Sequence, residues 1–143
     1  KGRVLRQGTD LAILSLGTMA QTCSDVADRL EQDGISVTLA DARFAKPFDA
    51  ELVRDLATTH DAFMIVEESS PGGFSAHLLQ FMAAEGLLDK GLKLRVASLP
   101  DEYIDHADRG RQLAWAGLDT DSLVALAGQI VTTRPGRAKQ DNS

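Results

Sequence analysis

Met64 to Phe81 reads MIVEESSPGGFSAHLLQF: an apolar run, a Pro-Gly-Gly turn, then a segment with apolar residues at helical spacing. A strand, a glycine turn and a helix N-terminus are the usual cradle for a phosphate, because the first N–H groups of a helix have no partner within it. Yet Glu67 and Glu68 stand where the anion would go. In a partly desolvated site they would repel it by roughly a few kcal/mol. The turn lacks the three spaced glycines of a dinucleotide site and the Gly-Lys-Ser/Thr of a P-loop, and no lysine lies near it. Either carboxylate can satisfy the helix N-terminus itself. Gly72 and Gly73 allow a close approach of another chain segment. The turn is therefore expected to hold protein rather than phosphate.

Other chemistry-bearing residues form no complete site. The histidines are His60, His77 and His106, and no pair has His-x-x-x-His spacing, which argues against a metal centre. Ser15, Ser69 and Ser70 lack the Gly-x-Ser-x-Gly context of a nucleophile elbow. Cys23 falls on the apolar stripe of a helix and reads as a small core residue. Arg43 and Lys46 follow a strand at its C-terminal end, the edge where α/β sheets meet ligands or partners. Against a solvated basic pair, Arg43 is expected to make a structural ion pair with Asp41, Asp49 or a carboxylate of a neighbouring domain.

The elements that must position these residues alternate. Leu11 to Leu16 is almost wholly apolar, as suits a strand buried on both faces of a parallel sheet. Thr18 is placed to cap a helix with the stripe Met19, Cys23, Val26, Ala27 and Leu30, which Asp33-Gly34 ends. Ile35, Val37 and Leu39 alternate as a second strand, and Pro47 and Asp49 start a helix that buries Leu52, Val53 and Leu56. A third strand runs from Ala62 to Val66. The helix after Gly73 packs through Phe74, Leu78, Phe81 and Met82, and Leu92, Leu94 and Val96 mark a fourth strand. Behind a Thr120 cap, Leu123, Leu126, Ala127 and Ile130 give the last helix. The class is α/β with a mostly parallel, right-handed sheet. Arg3 to Arg6 is too close to the next strand for a parallel crossover, so it pairs antiparallel at an edge.

The 143 residues suffice for one domain with its own core, assigned to residues 1–133. Residues 134–143 have no apolar face and are expected to be a disordered tail. A net charge of -6 and scattered basic residues argue against nucleic acid. No apolar stretch approaches the ~20 residues needed to span a bilayer, no signal peptide is expected, and the single cysteine fits a reducing, cytoplasmic compartment. The chain begins at Lys1 without a methionine and is expected to be part of something longer.

Four strings then occur in order: DARFAKPFD (Asp41 to Asp49), VEESSPGGFSAHLLQF (Val66 to Phe81), LPDEYIDH (Leu99 to His106) and AGLDTDSL (Ala116 to Leu123). From about Lys1 to Ile130 the chain closely resembles the C-terminal domain of the 1-deoxy-D-xylulose-5-phosphate synthases, which are transketolase-type enzymes. Many relatives carry a glycine just after the position of His106, where this chain departs with Ala107-Asp108-Arg109. The resemblance implies a three-layer α/β/α fold with a five-stranded, mostly parallel sheet and one antiparallel edge strand. It implies an enzyme that condenses pyruvate with glyceraldehyde 3-phosphate, releases carbon dioxide and feeds isoprenoid, thiamine and pyridoxal synthesis. Thiamine diphosphate and magnesium belong to the preceding pyrimidine- and diphosphate-binding domains. This domain would pack on them and support a homodimer, with no catalytic, cofactor or metal residues of its own and no activity alone. The interface or structural candidates are Arg43, Lys46, Glu67, Glu68, Gly72, Gly73 and His106. The alternatives are the same domain of another transketolase-type enzyme or 2-oxo-acid dehydrogenase β-subunit, and a free-standing regulatory module that binds a small metabolite.

Overall fold

All six residues of Leu11–Leu16 are buried, so this strand needs a strand on each side and a helical layer on each face. The computed structural model describes residues 2–16, 18–42, 49–68, 74–98 and 117–131, and supplies both. The elements are β1 (Arg3–Arg6), β2 (Leu11–Leu16), α1 (Ala20–Gln32), β3 (Val37–Ala42), α2 (Ala50–Thr59), β4 (Ala62–Glu67), α3 (Phe74–Ala84), β5 (Lys93–Ser98) and α4 (Thr120–Ile130). They build a five-stranded sheet in the order β1-β3-β2-β4-β5. β1 runs antiparallel to β3 at one edge, and the other pairings are parallel. The expected α/β class and antiparallel edge strand are both present.

Two apolar layers sandwich the sheet. On one face Leu11, Ile13, Leu39 and Met64 pack under α1 and α4 through Cys23, Val26, Leu30, Leu123 and Ala127. On the other, Leu14, Ala40, Phe63 and Ile65 pack under α2 and α3 through Val53, Leu56, Leu78 and Met82. Leu52, Phe81 and Leu126 are only partly buried. Phe81 is flanked by the Arg54 guanidinium, 5.2 Å from the ring centre, which also donates to Glu85 at 2.8 Å.

The helix starts show where local pattern misleads. Asp49 caps α2 as expected, accepting from the Leu52 N–H at 3.1 Å. The N-cap of α1 is Met19, with no side-chain cap, because the Thr18 hydroxyl donates to Glu68 instead. At α4 the cap is Asp119, which accepts from the Ser122 N–H at 3.1 Å, and Thr120 is the first helical residue. Both residues can cap, and the carboxylate one place earlier forms the stronger, charge-assisted bond. Gly34 ends the α1 turn in a left-handed conformation, φ 85°.

β1 is the exposed margin, with Val4 and Leu5 open to solvent. Its register slips between Val4 and Arg6. Arg6 is tied to α1 by Asp28 at 2.6 Å and Glu31 at 3.3 Å, and the Asp28 hydrogen bond holds its guanidinium above the ordinary arginine pKa. A short, irregular, charged edge resists pairing with other chains. Among the described residues no helix is long and apolar enough to cross a membrane. The tail assigned to 134–143 lies outside the described residues.

This layering predicts unequal costs. Ile13→Ala should lower the unfolding free energy by about 2–5 kcal/mol, whereas Val4→Ala on the edge should cost under ~1 kcal/mol. Urea titrations of the two variants check the ordering.

Candidate functional site

The strand order creates one special place. From β2 the chain leaves toward α1 on one face and returns in β3; from β4, the other neighbour of β2, it leaves toward α3 on the opposite face. Between β2 and β4 the two departures diverge and open a crevice at the carboxyl ends of the strands. Doubly wound sheets bind ligands there. Leu16 lies opposite Glu67 across this boundary, and Glu67 lies opposite Ser98 on its other side.

In this chain its own carboxylates occupy that place. Glu67 is 2% exposed and turns toward α3. Its two carboxylate oxygens accept the Phe74 N–H at 2.9 Å and the Ser75 N–H at 3.1 Å. These are helix N-terminal donors of the kind a phosphate would use, here charge-assisted by a carboxylate that the helix dipole favours. Glu68 points the other way and accepts from Thr18, so one hydrogen bond spans the switch point from the β4 end to the α1 start. Two adjacent carboxylates thereby fasten both diverging helices to the crevice. The arrangement repels an incoming anion, and the Phe74 and Ser75 amides are already engaged.

A profile of the transketolase C-terminal domain matches residues 1–123. The chain belongs to this family. A solved structure titled split gene transketolase, inactive beta4 tetramer, superposes with a TM-score of 0.79 at 26% identity, covering 91% of this chain. The chain spans 42% of that protein's length. The five-stranded mixed sheet and its flanking helices are the transketolase C-terminal fold.

Of the interface candidates in this transketolase C-terminal domain, Glu67 and Glu68 come together at the switch point as described. β3 ends at Ala42 on the same edge, but Arg43 and Lys46 themselves lie outside the described residues, as do Gly72, Gly73 and His106. His60 caps the C-terminus of α2 at the opposite end of the sheet, and His77 is exposed on α3. Among the described residues no three His, Cys, Asp or Glu side chains are grouped to hold a metal ion.

Two contacts escaped the sequence. One is the Thr18–Glu68 bond, which joins residues 50 apart. The other is a buried polar pair beside it: Ser15 donates to Asp41 Oδ1 at 3.2 Å across neighbouring strands. Asp41 is 6% exposed, and both residues face the α1 layer that carries Cys23. Neither described histidine lies beside Ser15, which donates to the Asp41 carboxylate. Burial, with Asp41 nearby, pushes the Cys23 thiol up to about 12. The neutral thiol is a small core group rather than a nucleophile.

Removing the buried carboxylate strands two helix amides. Glu67→Ala should therefore cost about 2–4 kcal/mol in urea unfolding, and Glu68→Ala less than ~1 kcal/mol. Equal losses would contradict the division between them.

Cys23 adds an alkaline limb. The unfolded thiol ionises near 9.0 and the folded one near 12. Its contribution to stability is complete below pH 9 and is lost as pH rises toward about 12. Cys23→Ala should lack that limb, and iodoacetamide at pH 8 should label the wild type only after denaturant is added.

Proposed function

We propose that this chain is the docking domain of a thiamine-diphosphate-dependent transketolase-type enzyme, and specifically of a 1-deoxy-D-xylulose-5-phosphate synthase. The observation that carries the docking role is the crevice. The ligand position of a doubly wound sheet is filled by Glu67 and bridged by Thr18 and Glu68. A sheet that spends its ligand edge on its own helices suits a supporting domain better than a free-standing metabolite-binding module. The synthase assignment rests on the four strings that carry the resemblance, DARFAKPFD and LPDEYIDH above all.

The described residues do not fit the cofactor. The Phe74 and Ser75 amides at the start of α3 are already bonded to a carboxylate, and among the described residues no three His, Cys, Asp or Glu side chains are grouped to hold a metal ion. As the resemblance implies, thiamine diphosphate and Mg2+ are assigned to the preceding pyrimidine- and diphosphate-binding domains, and no catalytic step is assigned to this chain. Its part is to pack on those domains and support a cytoplasmic homodimer. Glu68 with Gly72 and Gly73, Arg43 and Lys46 at the end of β3, and His106 form the proposed contact surface.

A second reading has one observation behind it. The similar structure is named a split gene transketolase, so the same domain could serve a transketolase, with a ketose donor in place of pyruvate. The complete enzyme should release carbon dioxide from pyruvate as it condenses it with glyceraldehyde 3-phosphate. Ketol transfer from a ketose phosphate without that release would select the transketolase instead. For the docking role, backbone amides of residues 67–75 should exchange more slowly in the complete dimer than in the 143-residue chain. Equal protection in both would overturn it.

A further inference from the structure

At the end of the sheet opposite Glu67, His60 closes α2 with its ring almost wholly buried, 8% exposed. Nδ1 lies 3.0 Å from the Leu56 carbonyl oxygen and 2.9 Å from the Thr59 hydroxyl. Nε2 lies 2.8 Å from Thr38 Oγ1, which in turn is 2.8 Å from the Gly8 carbonyl oxygen and 2.9 Å from the Gly8 N–H. This chain of contacts joins α2, β3 and the turn between β1 and β2.

Its protons can be counted. The Thr59 hydroxyl is only 2.6 Å from the Asp55 carbonyl oxygen and donates there. The Leu56 carbonyl only accepts, so Nδ1 must carry a hydrogen. Thr38 then has one hydroxyl proton and two acceptors in reach, the Gly8 carbonyl and, when the ring is neutral, the bare Nε2. A neutral ring takes that proton, and the Gly8 carbonyl goes without it. A protonated ring donates from Nε2 to Oγ1, and the hydroxyl proton turns to Gly8. We propose that His60 and Thr38 form a two-position proton switch, which fastens the Gly8 turn and the edge strand β1 to α2 when the ring is protonated.

Three features give the switch its leverage. The turn has no slack, because a Cβ on Gly8 would overlap the Val37 backbone. A cavity of about 230 Å³, lined in part by Gln7, Thr9, Thr38 and His60, borders the ring. The ring also sits at the carbonyl end of α2, whose last turn presents the Leu56 carbonyl to it. Among the described residues the charged group lining the cavity is Asp55 of α2; β1, the turn and β3 contribute no titratable side chain to that lining. Nearby in the chain, Asp61 follows the ring, and Asp10 accepts the Ser36 N–H at 2.7 Å. Arg6 is bonded to Asp28 and Glu31 of α1.

Nuclear magnetic resonance on the 15N-labelled chain tests this. The ring nitrogens of His60 and the exchange of the Gly8 and Thr9 amides are followed together through the titration of the ring. The neutral ring should be the Nδ1–H tautomer. After correction for base catalysis, exchange at Gly8 and Thr9 should slow about fivefold on protonation, the worth of one hydrogen bond. In Thr38→Val, which keeps the side-chain shape, the ring should still titrate with the coupling gone. A neutral Nε2–H tautomer, exchange indifferent to the ring, or coupling that survives in Thr38→Val would each overturn the proposal. Should Thr38→Val not fold, the wild-type tautomer and exchange rates decide alone.

Discussion

Everything in this chain follows from burying β2 on all sides. A strand whose six residues are all buried cannot sit at a margin or face solvent. It demands β3 on one flank, β4 on the other, and helices above and below. Helical crossovers in parallel sheets are right-handed, so moving outward from β2 in opposite directions places the connecting helices on opposite faces. The crevice between β2 and β4 is thus a geometric consequence of the buried strand rather than a separate invention.

What differs between proteins of this architecture is the content of the crevice. A glycine turn and a helix N-terminus supply donors, and donors attract anions. Here Glu67 supplies the anion from within the chain, and burial excludes water from competing for it. The helix N-terminus is kept, with the Phe74 and Ser75 amides given to Glu67. A structural element made in this way holds α3 to the sheet whether or not any ligand is present.

The architecture was legible because two-faced burial leaves long apolar runs and helices leave periodic stripes. LAILSL could be little else than a central strand, and the Met19, Cys23, Val26, Ala27 and Leu30 stripe is buried throughout. Legibility failed where one polar side chain had a choice of partners. Thr18 stands where a cap belongs, but its hydroxyl goes to a residue 50 positions away. Thr120 and Asp119 both favour caps, and only backbone position decides between them. Glu67 was legible as a substitute for phosphate because charge and helix polarity are local facts. Thr38 looked like any strand threonine, since its meaning depends on His60 and Gly8 arriving from other elements.

Buried polar groups gather at the two ends of the strands. Ser15, Asp41 and Glu67 lie at the carboxyl end, Thr38 and His60 at the amino end. The middle of the sheet is closed by apolar layers that offer no donors, so a polar side chain there would go unsatisfied. At the ends, by contrast, turns and helix termini expose backbone N–H and C=O groups that need partners. The apolar middle fixes the fold, and the polar ends fix which turns stay closed. Substitution at the ends can therefore retune turn closure while the core remains intact. That separation is physically consistent with a fold retained at a TM-score of 0.79 across only 26% identity.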